Sequence, residues 1–192
     1  MASIGCVGLI IMSDTRSAME QSELIRLLEA TRAESGKTLL ALADESPVLL
    51  VFLRHFGCAF CRQAIDDVSQ IQQELQRRGV RPVFVHLGPP ERARPYFDHY
   101  ALSSVERISN PDGSLYRHPV FQLARISVVR HLFRMATWKA WLGGILWKHG
   151  LGMIREDGDQ MPGIFFLRDR SIVRVFRHRD ISDRPDYLAL AS

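Results

Sequence analysis

The chain has 192 residues, 46% of them apolar and 24% charged, which suits one soluble domain with a sizeable core. Its net charge of +4 comes largely from scattered arginines, with no run that would track a phosphate backbone, so nucleic-acid binding is set aside. Three cysteines are too few for a secreted disulfide scaffold, which points to a reducing cytoplasm.

The first segment, 1–18, contains the apolar run Ile4 to Met12 around Cys6. It is too short to span a bilayer and has no basic residue ahead of it, so it reads as a flexible N-terminal extension. The domain proper is then 19–192. Leu24, Leu27, Leu28 and Ala30 recur at helical spacing and predict a helix over 20–35, stopped by Gly36. Residues 38–44 are ambiguous. Pro47 to Leu53 is a continuous apolar run and suits a strand buried on both faces.

Ala64, Ile65, Val68, Ile71 and Leu75 form one stripe and predict a helix from Cys58 to Arg78, ended by Gly79. A second strand covers Val80 to Leu87, and a helix covers Pro90 to Tyr100. Glu106 to Ser109 reads as a short strand before the turn Asn110-Pro111-Asp112-Gly113. Residues 117–155 hold all three tryptophans, Trp138, Trp141 and Trp147, and read as a helical insertion that covers the sheet. Gly163 to Leu167 and Ile172 to Phe176 predict a hairpin, and Asp183 to Leu190 a closing helix. Strands that alternate with helices and then close with a hairpin define an α/β fold with a mixed central sheet.

Cys58 and Cys61 follow the buried strand and open a helix. Free N–H groups and the positive dipole end of that helix favour a thiolate, which is the nucleophilic form of cysteine. Arg54, His55 and Arg62 flank the pair and would lower its pKa further if they point at the sulfur. His55 is also a candidate proton donor, and Gly57 permits a tight strand-to-helix turn. Two other readings stay open: cysteines that only pack, and half of a zinc site. A zinc site needs further ligands, and His86, His99, His118 and His131 show no ligand spacing. Met161-Pro162 stands just before a late strand, where thioredoxin folds place a cis-proline facing the dithiol, and a cis bond is expected here. Arg177 to Asp180 read as a solvated rim with surface ion pairs.

The segment Arg54-His55-Phe56-Gly57-Cys58-Ala59-Phe60-Cys61-Arg62 resembles the signature of the peroxiredoxin-like AhpC/TSA group of the thioredoxin superfamily. Gly158 to Gly163, Phe176 to Arg179 and Asp183 to Tyr187 resemble its selenoprotein L-like branch. The resemblance spans about 38–190 and implies a thioredoxin-like fold. It also implies Cys58 and Cys61 as the redox pair, with Pro162 facing them. Arg54, His55, Gly57, Phe60, Arg62 and Met161 are the supporting residues.

The chain departs from peroxiredoxins at three positions. With Cys61 in the peroxidatic register, Arg54 and Cys58 occupy the usual proline and threonine positions, and the arginine expected near Met161 is absent. Thioredoxin logic makes Cys58 the attacking sulfur, whereas peroxiredoxin alignment makes it Cys61.

The expected function is thiol–disulfide oxidoreduction through the dithiol. Hydroperoxide reduction is an alternative, and a non-enzymatic binding module is another. No bound cofactor or metal is implied. The expected partners are a thioredoxin or small-thiol reductant and a disulfide or peroxide substrate, with a homodimer as a possible assembly.

Overall fold

The run Val48–Phe52 forms strand β1, and every residue in it is buried. Side chains alternate across a strand. Val48, Leu50 and Phe52 therefore enter one core, while Leu49, Val51 and the following Leu53 enter the other. A computed structural model describes residues 5–126, 157–180 and 182–192, with side chains from residue 18 onward. In chain order the helices are α1 (Gly5–Ala30), α2 (Leu39–Glu45), α3 (Ala59–Gln70), α4 (Gln72–Arg77), α5 (Pro90–His99), α6 (Ser114–Arg117) and α7 (Tyr187–Leu190). The remaining strands are β2 (Arg81–His86), β3 (Glu106–Ser109), β4 (Gly163–Arg168) and β5 (Ser171–Arg177).

The five strands form one sheet in the order β3-β2-β1-β4-β5. β1 pairs parallel with β2, and β2 with β3, whereas β4 runs antiparallel to both β1 and β5. This is the mixed sheet expected from the element order. Leu24, Leu28, Leu39 and Leu42 of α1 and α2 pack on one face with Tyr116, Phe121 and Leu123. Cys61, Ile65 and Val68 of α3, Leu75 of α4 and Phe97 of α5 pack on the other. The Cys58 and Cys61 pair thus follows the C-terminal end of β1, where ligands collect in open α/β sheets.

Several boundaries differ from expectation. The first helix reaches back to Gly5, so it takes in most of the stretch assigned to an extension, and it stops at Ala30. The helix expected from Cys58 to Arg78 breaks at Ile71, whose φ of −103° and ψ of 5° leave helical space. Gly79 then ends α4 with a φ of +65°, a left-handed conformation that costs glycine little. The closing helix begins only at Tyr187, because Asp186 caps it by accepting from the Ala189 N–H at 2.9 Å.

The β4–β5 link turns through Asp169 and Arg170, with φ of 51° and 58°. Arg170 is held there by paired bonds to Asp44 at 2.7 and 2.9 Å. Most of the expected insertion, including Trp138, Trp141 and Trp147, lies outside the described residues. Its flanks meet: Arg125 bridges to Gln160, the Ile126 N–H donates to the Asp159 carbonyl at 2.8 Å, and Arg125 pairs with Asp157 at 2.6 Å. Among the described residues, no helix is long and apolar enough to cross a membrane.

Candidate active site

After β1 the backbone makes a tight turn, closed by the Cys58 N–H donating to the His55 carbonyl at 3.1 Å. Gly57 lies in this turn but does not use a left-handed φ. Cys58 is the N-cap of α3, and its carbonyl accepts from the N–H groups of Cys61 and Arg62, both at 3.2 Å. Cys58 and Cys61 are free thiols, 9% and 4% exposed, so access to both sulfurs is narrow.

The two sulfurs are held in opposite states. The Cys61 S–H donates to the Cys58 sulfur, and this bond is the largest force pulling the Cys58 pKa down to about 6 against its burial. The Arg54 charge and the N–H groups of Cys61 and Phe60 add to the fall. Burial pushes the Cys61 thiol up, and the adjacent Cys58 sulfur pushes it further. Both shifts favour the anion on Cys58 over Cys61, and a helix N-terminus favours a thiolate at its first residue.

Arg54 is 2% exposed and spans the site. Its backbone N–H donates to Cys61 Sγ at 3.3 Å, and its Nη1 lies 3.9 Å from Cys58 Sγ. Its Nε donates to the Gln160 carbonyl at 2.9 Å, and its Nη2 donates to the Gly158 carbonyl.

His55 is also buried, and its Nδ1 has no partner. Burial holds its pKa down to about 4, helped by the charges of Arg54, Arg92 and Arg62. It is therefore neutral near pH 7 and adds no positive charge beside the sulfur, which corrects one expectation. Arg62 lies on α3 and its charge acts on His55 and Tyr100, while Arg54 places its Nη1 3.9 Å from Cys58 Sγ.

Phe60 and Pro162 line a small cavity of about 30 Å³ against Cys61, together with Ile164, His178 and Tyr187. That volume accommodates one or two waters. Met161 is buried, and its N–H donates to the Ala124 carbonyl at 2.9 Å. Pro162 lines the same cavity as Cys61, but its peptide bond is trans, contrary to expectation. Trans is the lower-energy isomer of an X–Pro bond, and Pro162 stands one residue before β4, where it forgoes no ladder bond.

In the stretch from Arg177 to Asp180, Arg177 and Arg179 are exposed, as expected of a rim, whereas His178 and Asp180 are half-buried. Arg177 Nε donates to the Phe121 carbonyl at 2.9 Å, and its guanidinium lies over the Phe165 ring. His178 lines the Cys61 cavity, and desolvation lowers its pKa to about 4 against the raising effect of Asp183 and the Pro162 backbone.

Other residues shape the site without having been singled out as site residues. Gln160 is 1% exposed and ties its own amide to the Leu123 and Ala124 carbonyls. Tyr116 donates to the Leu53 carbonyl beneath the dithiol loop. Arg184 grips Asp67 of α3 through two bonds at 3.0 and 2.5 Å, which seats the C-terminal segment over the cavity. Gln160 and Arg184 fall inside stretches that carry the resemblance, so a signal existed for them. Among the described residues, no group of three or more His, Cys, Asp or Glu side chains is placed to share a metal ion.

No family model matches the chain. Two curated proteins described as prostamide/prostaglandin F synthase match in part. The one from Salmo salar is 37% identical over 65 residues, 34% of this chain and 31% of that protein. The one from Danio rerio is 39% identical over 51 residues, 27% of this chain and 24% of that protein. The chain thus matches a third or less of the length of these curated relatives.

Among solved structures, peroxiredoxin Q of Xanthomonas campestris superposes with a TM-score of 0.54 at 15% identity, covering 79% of this chain and 81% of that one. Peroxiredoxin 6 of Arenicola marina, as a cysteine-to-serine mutant, gives 0.56 at 12% identity, covering 83% and 66%. Peroxidoxin BcpB of Mycobacterium tuberculosis gives 0.53 at 13% identity, covering 77% and 79%. The fold is therefore thioredoxin-like, an α/β domain with a mixed five-stranded sheet that presents a Cys-x-x-Cys pair at a helix N-terminus.

Proposed function

We propose that the protein is a thiol–disulfide oxidoreductase in which Cys58 attacks and Cys61 resolves. The observation that carries this reading is the pair of free thiols at the start of α3, with the Arg54 guanidinium 3.9 Å from Cys58 Sγ, where Cys61 and Arg54 both favour the thiolate of Cys58. The Cys58 thiolate attacks one sulfur of a substrate disulfide, forming a mixed disulfide and expelling one substrate thiolate. The Cys61 thiol then loses its proton and attacks Cys58 Sγ, and the second substrate thiolate leaves and takes up a proton. An external thiol reductant, a thioredoxin or a small thiol, returns two electrons to the pair. The signature residues 54–62 support a place in the AhpC/TSA group, within its selenoprotein L-like branch. The scarcity of cysteine supports work in a reducing cytoplasm.

A second reading, hydroperoxide reduction, draws support from Arg54. Its guanidinium beside Cys58 supplies a cation where the arginine expected near Met161 is missing. In that reaction the Cys58 thiolate takes the terminal OH of R–O–O–H and becomes a sulfenic acid as the O–O bond breaks, the alkoxide leaves and takes a proton from solvent, and Cys61 condenses with the sulfenic acid to release water.

Turnover of a dithiol-linked disulfide substrate and of hydrogen peroxide, by wild type, Cys58→Ser and Cys61→Ser, separates the readings. Disulfide turnover lost in both variants, with a mixed disulfide accumulating only in Cys61→Ser, supports the first. Peroxide consumption that survives in Cys61→Ser for one turnover supports the second. Wild type inert toward both substrates is the result expected of a binding module and overturns both.

A further inference from the structure

Arg54 is a buried cation whose guanidinium partners among the described residues include no carboxylate: they are two carbonyls, of Gly158 and Gln160, and the sulfur of Cys58. Carbonyl oxygens satisfy N–H groups but carry no net charge. The anion that balances the guanidinium is therefore the Cys58 thiolate. We propose that Arg54 links the redox state of the pair to the turn Gly158–Gln160, gripping this turn in the reduced protein and loosening it on oxidation. This rests on the oxidoreductase reading above.

The charge balance supplies the driving force. Cys58–S⁻ and Cys61–SH react with R–S–S–R′ to give the Cys58–Cys61 disulfide, R–S⁻ and R′–SH. Two electrons pass to the substrate, whose S–S bond breaks as the protein's S–S bond forms. The negative charge leaves with the product, while Arg54 stays. A buried ion that has lost its partner is strongly unfavourable. The oxidised site relieves this by admitting water or by turning the guanidinium outward. Either relief weakens its bonds to the Gly158 and Gln160 carbonyls.

The turn is placed to respond. The Met161 N–H is held only one residue beyond Gln160, by the Ala124 carbonyl at 2.9 Å, and the Ile126 N–H is held by the Asp159 carbonyl at 2.8 Å. Pro162, next in the chain, forms a wall of the Cys61 cavity. Oxidation therefore alters a wall of the cavity beside Cys61. The same imbalance raises the free energy of the disulfide relative to the dithiol, so Arg54 makes the pair a weaker reductant.

The test is amide hydrogen exchange on reduced and oxidised wild type, with the reduction potential of wild type, Arg54→Met and Arg54→Lys measured against glutathione. The expected result is exchange at Ile126 and Met161 at least tenfold faster in the oxidised protein, with amides of β1 and β2 unchanged. In Arg54→Met this redox dependence disappears, and the equilibrium with glutathione shifts at least tenfold toward the disulfide, about 30 mV more reducing. Arg54→Lys keeps the charge and falls between the two.

A Cys58–Cys61 disulfide that forms with no change in exchange at either amide overturns this inference and leaves the oxidoreductase reading standing. An unchanged potential in a folded Arg54→Met overturns it as well. If neither Arg54 variant folds, the two states of wild type decide alone. Failure of wild type to form the disulfide at all overturns both proposals together.

Discussion

Tyr116 and Cys61 hold opposite ends of one peptide unit. The Tyr116 hydroxyl donates to the Leu53 carbonyl, and the N–H of the same peptide, belonging to Arg54, donates to Cys61 Sγ at 3.3 Å. Burial pushes the Tyr116 phenol well up, so it stays a donor throughout the working pH range. Tyr116→Phe removes the hydroxyl and keeps the ring packed on Phe52. The expected loss is about 1–2 kcal/mol of stability in urea unfolding of the reduced protein, the cost of an unmet buried hydrogen bond. The lifetime of a mixed disulfide at Cys58, read by mass spectrometry, should lengthen severalfold as the Cys61 anchor loosens.

The state of Cys58 sets its reactivity with pH. Alkylation by iodoacetamide should follow a single titration with a midpoint near 6. Cys61 should stay unreactive in the same window, because its thiol is pushed up by burial. Arg54→Met should move the Cys58 midpoint upward by removing one of the charges that stabilise the anion.

Linkage gives a companion prediction for stability. The Cys58 pKa is depressed on folding from 9.0 to about 6, so the thiolate's contribution is complete above 9 and is lost as pH falls through 6. The Cys61 pKa is raised, so its contribution is complete below 9 and is lost only at higher pH. Reduced wild type should therefore gain stability between about pH 6 and 9, whereas Cys58→Ser should not. Urea midpoints across that range provide the check.

His55 and His178 act at lower pH. His55 is buried and His178 half-buried, and the loss of solvent lowers both pKa values from 6.5 to about 4. The unfolded chain binds these protons more readily, so stability is complete above 6.5 and is lost as pH falls toward 4. A thermal unfolding series from pH 7 to 4 should show a shallower decline in His55→Asn or His178→Asn than in wild type.

Gly163, the first residue of β4, sits under Leu123. A Cβ at this position would come within 2.4 Å of Leu123 Cδ2. Gly163→Ala should cost about 1–3 kcal/mol by overpacking. The double variant with Leu123→Ala should recover part of the added cost, as a thermodynamic cycle would show.

The strands were legible because their signal is local. Five consecutive apolar residues after Pro47 cannot hide one face from water, so β1 had to be central. The same logic placed the dithiol, since a helical stripe begins directly after that strand. What stayed hidden depends on residues far apart in the chain. The reach of Arg54 to Gln160 crosses 106 positions and that of Arg184 to Asp67 crosses 117, and no local pattern encodes either.

The break at Ile71 was missed because the apolar stripe continues through it with helical spacing. The proline before β4 was misjudged for a different reason. Its place beside Cys61 follows from the fold, but its isomer is set by local packing that spacing does not report.

The most direct measurement is a redox titration of the full chain in glutathione buffers, with free thiols alkylated at each point and the sites mapped by peptide mass. The expected result is one reversible two-electron transition in which Cys58 and Cys61 lose their label together while Cys6 keeps its own. Labels on Cys58 and Cys61 that never change with the buffer, or that are lost only to bonds with Cys6 or glutathione, would contradict the proposed function.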